Sequence, residues 1–488
     1  MLMEDADISI ITKKSIKGIS IYISRSLFIQ LINFFTNFTL TILLSPAAFG
    51  VFFIVSSINQ ILSYFSDIGL SGALIQKREK VELIELRTSF TTQQILVGGI
   101  CIIMLTLSFW IGKFFRLETQ GIWLFQAFVV AFFLSSLKTI PSVILERDIQ
   151  FSKLAIVQIA ETVIFSLVVI TLAIKGFGIT AFTVAVLARS ITGLIIIYLI
   201  APWNIGFAFS KSALTELLSF GIPFQLNSIL ALIKDDLFIL FLGKILPASQ
   251  LGYIGFAQKW AFTPLRLIMD NVIKVTFSSF ARLQHDKQNL KKAFEKSIFV
   301  IALFVFPILA LIVLLFPLLF HLVPKYAKWS PAFISLCFFV LNAFLASMLV
   351  PMTNLLNAIG KIKITLYFMI AWTVVTWLIA SFLVMIFGFN LFAIVSAFIN
   401  LSFIPIFLIL KRDHLDFDLL KSIRLPLIST VIMILVLYLI ERSIPISLFS
   451  VLILLISGLV LYFGIIFILG KNQLLEDIKL VKNNLLSS

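Results

Sequence analysis

The chain alternates between apolar runs long enough to cross a bilayer and short stretches marked by charge, proline or glycine. A helix needs about 20 apolar residues to span the hydrocarbon core. The pattern predicts about fourteen such helices, near 17–43, 49–75, 88–111, 121–145, 154–174, 178–200, 214–243, 248–281, 297–321, 330–356, 364–386, 391–410, 425–440 and 445–470. The first run reads as a span and not as a cleaved leader, because Glu4, Asp5 and Asp7 stand where a positive region belongs.

Polar positions inside these helices fall on faces. In the eighth, Lys259, Thr263, Arg266, Asp270 and Lys274 follow at spacings of 4, 3, 4 and 4. At 100° per residue they share about 80° of one face, and at 1.5 Å per residue the stripe is roughly 22 Å long. The first helix repeats that spacing without charge in Ser26, Gln30, Asn33, Asn37 and Thr41. The second carries Ser56, Asn59, Gln60, Ser63 and Asp67 on one broad side. The other intramembrane charges are Arg25, Lys138, Glu161, Arg189 and the knot Lys234–Asp235–Asp236. Charge at mid-membrane costs a few kcal/mol or more and is usually paired or functional. Asp270 lies four residues from both Arg266 and Lys274, so an internal ion ladder is the simplest structural alternative. Lys138 and Arg25 stand close enough to a span end to snorkel.

An internal repeat runs through the same helices. "LLSPAAFGVFFIVSS" (43–57) parallels "ILPASQLGYIGFAQK" (245–259), with Pro46 matching Pro247 and Gly50 matching Gly252. "IPSVILERDIQFSKLAI" (140–156) parallels "VPMTNLLNAIGKIKITL" (350–366). Spans 1–6 then recur as spans 7–12 in the same orientation, the arrangement of transporters with parallel repeats. The expected fold class is an all-α polytopic membrane protein. It has two six-helix lobes, 1–210 and 211–415, in a parallel pseudo-twofold repeat, and two further helices with a tail over 416–488. Spans 1, 2, 7 and 8 would line the cleft between the lobes.

Composition agrees. Of 488 residues, 60% are hydrophobic and 12% charged, about half the charged fraction of a soluble domain. Placing the N-terminus inside assigns 24 of the 38 Lys and Arg to inside segments. Only Lys113, Arg116, Lys175, Lys244, Lys325, Lys328 and Arg442 fall outside. Both termini are therefore expected in the cytoplasm. The net charge of +15 reads as topology and attraction to anionic lipid, with no nucleic acid implied. The two cysteines and three scattered histidines predict neither a disulfide nor a metal centre.

"LLSPAAFGVFFI" (43–54), "FSDIGLSGALIQKRE" (65–79), "LERDIQFSKLA" (145–155) and "LGYIGFAQKWAFTPLRLIMDNVIKVTF" (251–277) together resemble the Wzx-type polysaccharide flippases. These belong to the multidrug/oligosaccharidyl-lipid/polysaccharide exporter superfamily, and the likeness covers about residues 15–415. The resemblance implies a MATE-like fold in the inner membrane. It also implies flipping of an undecaprenyl-pyrophosphate-linked oligosaccharide, a cationic central cavity and coupling to an ion gradient, H⁺ or Na⁺, with no other cofactor. Polysaccharide polymerase and export machinery are its implied partners, beside the lipid-linked substrate and membrane lipids.

The family has no universal motif to transfer, so candidate residues rest on the stripes. Arg266, Lys259, Lys274 and Arg189 suit a pyrophosphate, and Gln30, Asn33 and Asn37 suit sugar hydroxyls. Asp67, Glu161, Asp235, Asp236 and Asp270 are candidates for the coupling ion. The alternatives are a lipid II flippase, a drug or cation exporter of the same architecture, and a membrane glycosyltransferase or polymerase. The exporter would favour an acidic cavity. The enzyme would need a catalytic loop, and the longest connections, 282–296 and 411–424, read as solvated charge runs.

Overall fold

The computed structural model describes residues 25–486 apart from 67, 68, 78, 80, 444 and 446, with the side chains of 220–231, 448 and 471–486 set aside. The described residues form helices and turns, with no strand among them. In chain order the helices are α1 (Arg25–Leu43), α2 (Pro46–Tyr64), α3 (Leu70–Gln76), α4 (Leu83–Thr106), α5 (Ser108–Phe114), α6 (Thr119–Leu137), α7 (Thr139–Arg147), α8 (Phe151–Ile174), α9 (Ile179–Ile200), α10 (Lys211–Lys234) and α11 (Asp236–Ile245). There follow α12 (Ala248–Leu283), α13 (Lys287–Leu322), α14 (Phe333–Ala358), α15 (Ile362–Val375), α16 (Ser381–Phe387), α17 (Asn390–Asn400), α18 (Phe403–Asp413), α19 (Leu419–Ser443) and α20 (Leu448–Leu486).

Twelve helical segments among the described residues are long and apolar enough to cross a membrane. They coincide with the first six and the last six of the fourteen expected spans. The two left over, α10–α11 and α12, are helical too, and hold the charge knot and the cationic stripe. The chain is thus an all-helical, multi-pass membrane protein.

Helix ends follow local chemistry. Ser45 caps α2, its hydroxyl accepting from Ala48 N at 3.3 Å, and Pro46 occupies the first helical position, where its missing N–H costs nothing. Glu82 and Glu85 form a reciprocal capping box at the start of α4. Asp286 caps α13 by accepting from Asn289 N at 3.1 Å. These hydrogen bonds hold the Asp286 carboxyl below its ordinary value. Its contribution to the α13 start is present at neutral pH and is lost as pH falls through that lowered value.

The chain divides into two compact units, Met1–Gly252 and Tyr253–Ser488. In the first, Thr36 of α1 donates to Ser166 of α8 at 2.8 Å, a buried hydroxyl pair, and α3, α4 and α7 share the apolar cluster of Leu70, Leu74, Phe90 and Ile140. The matched glycines of the sequence repeat also meet here. The first turns of α2 and α12 lie backbone against backbone: a Cβ on Gly50 would stand 1.7 Å from the Ala248 carbonyl oxygen, and one on Gly252 would stand 1.9 Å from that of Pro46. In the second unit, α13 packs with α19 and α20 around Leu311, Met433, Leu437 and Leu454, and the Tyr462 hydroxyl donates to the Leu303 carbonyl at 2.8 Å. Phe256 stacks on Trp329 at 4.4 Å, anchoring α12 by its apolar side.

Candidate functional site

That anchoring decides where the stripe of α12 points. Ile254, Ala257, Ala261, Leu265 and Met269 are buried, whereas Lys259, Arg266, Asp270 and Lys274 are exposed. Thr263 lies between, its hydroxyl donating to the Lys259 carbonyl at 2.6 Å. The structural alternative, an internal ladder through all three charges, lacks its first rung: among the described residues, Asp270 makes no ion pair with Arg266. The face therefore presents three cations and one carboxylate outward.

On α1, Asn33 is exposed and Gln30 and Asn37 are half-buried. The Gln30 amide donates to Ser26 Oγ at 3.3 Å, and that of Asn37 donates to the Asn33 carbonyl. These donors are partly spent within the helix. The amide oxygens remain acceptors for a ligand hydroxyl.

Glu161 and Arg189 come together as neither stripe predicted. Glu161 is buried, and its carboxylate meets Lys138 Nζ at 2.5 Å and Arg189 Nε at 3.7 Å. Lys138 does not snorkel; it turns to this carboxylate. The Arg189 side chain stays 52% exposed while leaning on the pair. Gly193 makes the room, since a Cβ there would stand 1.7 Å from Glu161 Oε1. Breaking one side of a buried ion pair costs about 3–5 kcal/mol because the partner is left uncompensated. Glu161→Gln is therefore expected to lower the melting temperature of the purified protein more than the double variant Lys138→Met/Glu161→Gln does. Equal losses in the two would show that the pair carries no structural weight.

The knot lies at a break. α10 ends at Lys234 and α11 begins at Asp236, with Asp235 between them at φ −100°, ψ −63°. The single span expected over 214–243 is thus two helices. Lys234 pairs with Asp235 at 2.8 Å, and Asp236 occupies the first turn of α11, where the helix dipole favours a carboxylate. This resolves why three charges sit together: a local pair and a dipole contact offset part of their cost. Asp67 lies outside the described residues, as do the side chains of Pro223, Gln225, Asn227 and Ser228.

Two features at one end of the first unit were not read from sequence. Lys77 Nζ bridges Glu85 at 2.5 Å and Glu216 at 2.8 Å, and these carboxylates raise its pKa, so it stays cationic at all ordinary pH. Arg147 donates to the carbonyls of Leu74, Lys77 and Glu79, closing the end of α3. Both were counted only as loop cations. Apart from Glu85, eight residues from Lys77, their partners are 68 to 139 residues distant in sequence, beyond any local pattern.

Comparison with known proteins fixes the family. Residues 39–332 match the polysaccharide biosynthesis protein family. The chain belongs to that family. It is 23% identical over 326 residues to the lipopolysaccharide biosynthesis protein WzxC of Escherichia coli K12, covering 66% of this chain and 65% of WzxC. Matches to the first curated relatives span 61–65% of their length. Among solved structures, the lipid II flippase MurJ in an inward closed conformation superposes with a TM-score of 0.76 at 13% identity, over 93% of this chain and all of MurJ. An inward-facing multidrug resistance transporter of the MATE family gives 0.59 at 18% identity, over 79% of this chain and 96% of its own. At such identities the likeness is one of fold, and that fold is MurJ- and MATE-like.

Proposed function

We propose that the protein flips an undecaprenyl-pyrophosphate-linked oligosaccharide across the cytoplasmic membrane for polysaccharide export. Transport runs by ion-coupled alternating access, with both termini in the cytoplasm. The observation that carries this reading is the exposed face of α12 that bears Lys259, Arg266 and Lys274, in a chain of the polysaccharide biosynthesis family. The lipid tails stay in hydrocarbon. The pyrophosphate and sugars need a polar path, and Lys259, Arg266 and Lys274 supply charge-assisted hydrogen bonds to phosphate oxygens. Arg189, half exposed beside Glu161, adds a fourth cation. Gln30, Asn33 and Asn37 serve sugar hydroxyls. Asp235, Asp236 and Asp270, exposed or half-buried, are the acidic groups for H⁺ or Na⁺, with Asp67 a further one. Glu161, tied to Lys138, is the least available to a coupling ion.

Deletion of the gene is expected to stop surface polysaccharide and to accumulate lipid-linked oligosaccharide on the inner leaflet, both restored by the wild-type gene. Normal export in the deletion strain would refute the reading. The MurJ-like fold favours one second reading, a lipid II flippase, which rescue of a conditional lipid II flippase mutant would reveal.

A further inference from the structure

Beside the Lys138–Glu161 pair the first unit carries an open groove of about 320 Å³ walled by α3, α6 and α7. Its polar lining is Ser71, Ser135, Lys138, Thr139, Ser142 and Glu146. The last five follow at spacings of 3, 1, 3 and 4, one face of the α6–α7 run. Ile140 and Val143 of α7 are held in the apolar cluster with Leu70 and Leu74, and Val143 with Ile75 supplies the apolar part of the lining.

Part of this wall's hydrogen-bonding capacity is unspent, although the Ser142 hydroxyl donates to the Lys138 carbonyl at 2.9 Å and keeps only its acceptor role. Thr139 Oγ1 accepts from the Gln93 amide at 3.0 Å, leaving its own O–H to donate. Gln93, 3% exposed, has an Oε1 with no partner among the described residues. Lys138 gives Glu161 one of its three N–H groups. Ser135 and Glu146, exposed at the mouth, make no side-chain hydrogen bond among the described residues. Partial burial pushes the Glu146 carboxyl up from its ordinary value, and its oxygens are free to accept.

The geometry points to a sugar-binding subsite at this pocket, one that holds a monosaccharide unit of the glycan by its hydroxyls. The inference rests on the glycan-flipping reading and names where the sugar, as distinct from the pyrophosphate, is held. Small-ligand sites start near 300 Å³, so the groove suits one or two sugar rings. Hydroxyl side chains that both donate and accept match sugar hydroxyls, and a carboxyl can take two neighbouring ones. A bare phosphate fits poorly: the one lining cation is already neutralised by Glu161, and Glu146 would repel it. An acyl chain would leave the Ser135 hydroxyl and the Glu146 carboxylate without a partner from the ligand. With the orientation that the loop charges favour, the pocket opens toward the cytoplasm beside Arg147, where the glycan is met before flipping.

Saturation-transfer NMR of the full chain in lipid nanodiscs tests this with D-glucose, D-galactose and N-acetyl-D-glucosamine as probes. Transfer to at least one sugar is expected, unaffected by inorganic pyrophosphate. Ser142→Leu, which fills the groove, should weaken the apparent affinity by about tenfold or more. Ser135→Ala, at an exposed hydroxyl with no side-chain hydrogen bond among the described residues, should weaken it in a protein of unchanged melting temperature. No transfer to any probe, transfer that survives both variants, or displacement by pyrophosphate would overturn the subsite. Flipping of lipid-linked oligosaccharide by the wild type is scored separately. Protein that flips but binds no probe loses only the subsite, and protein that binds through these residues but does not flip loses only the transport function.

Discussion

Replacing Lys259 and Arg266 together by glutamine is expected to abolish polysaccharide export while leaving the protein at its normal level in the membrane. Both side chains are exposed on α12, opposite the buried Ala257, Ala261 and Leu265, so neither change disturbs packing. Each forfeits a charge-assisted hydrogen bond to phosphate, worth about 1.5–3 kcal/mol. Together that is about 3–6 kcal/mol, or on the order of 10² to 10⁴ in affinity for the pyrophosphate. Lys259→Arg should retain most activity because the charge persists. Asp270→Asn should spare binding of the anion, since it removes the one acidic group of the stripe. Quantifying surface polysaccharide in a deletion strain carrying each variant checks this; export at wild-type rate by the double variant would remove the cationic face from the mechanism.

The second large effect concerns folding. Gly50→Ala is expected to remove most folded protein from the membrane, and Gly252→Ala to do nearly the same. The new methyl groups would stand 1.7 Å and 1.9 Å from carbonyl oxygens of the facing helix. Those oxygens belong to backbone, so no rotamer change relieves the overlap, and the helices must separate. Overpacking by one methyl costs typically about 1–3 kcal/mol where side chains can shift, and this contact has none to shift. Gly98→Ala, inside α4 with nothing within 4 Å of the added methyl, is the control and should be neutral to stabilising by about 0.5–1 kcal/mol. Fluorescence-detected gel filtration after heating separates the three; a Gly50→Ala protein as thermostable as the control would show that the two turns do not need their close approach.

Much of this was legible in the sequence, for identifiable physical reasons. A bilayer demands apolar runs of fixed length, so twelve of the spans could be read directly. The stripe of α12 could be read because helical periodicity fixes its face, and the packing of its apolar side leaves the cations outside. The Pro46/Pro247 and Gly50/Gly252 correspondence was visible, but that the matched glycines touch was not. Such a contact depends on how two distant turns approach. The ion pairs escaped for the same reason: Lys138 meets Glu161 from 23 residues away and Lys77 meets Glu216 from 139. The break at Asp235 carried only its local signal, three charges in a row. Glu146 and its hydroxyl neighbours had a helical spacing that could have been noticed. They were divided between the end of one expected span and the loop after it.

The most direct measurement is flipping of lipid-linked oligosaccharide in proteoliposomes holding the purified protein, with and without a proton or sodium gradient. A labelled substrate in the inner leaflet is scored by its exposure to an external glycan-modifying enzyme. The expected result is protein-dependent exposure that one of the two gradients accelerates and the Lys259→Gln/Arg266→Gln variant lacks. Exposure no faster than in protein-free vesicles, under either gradient, would contradict it.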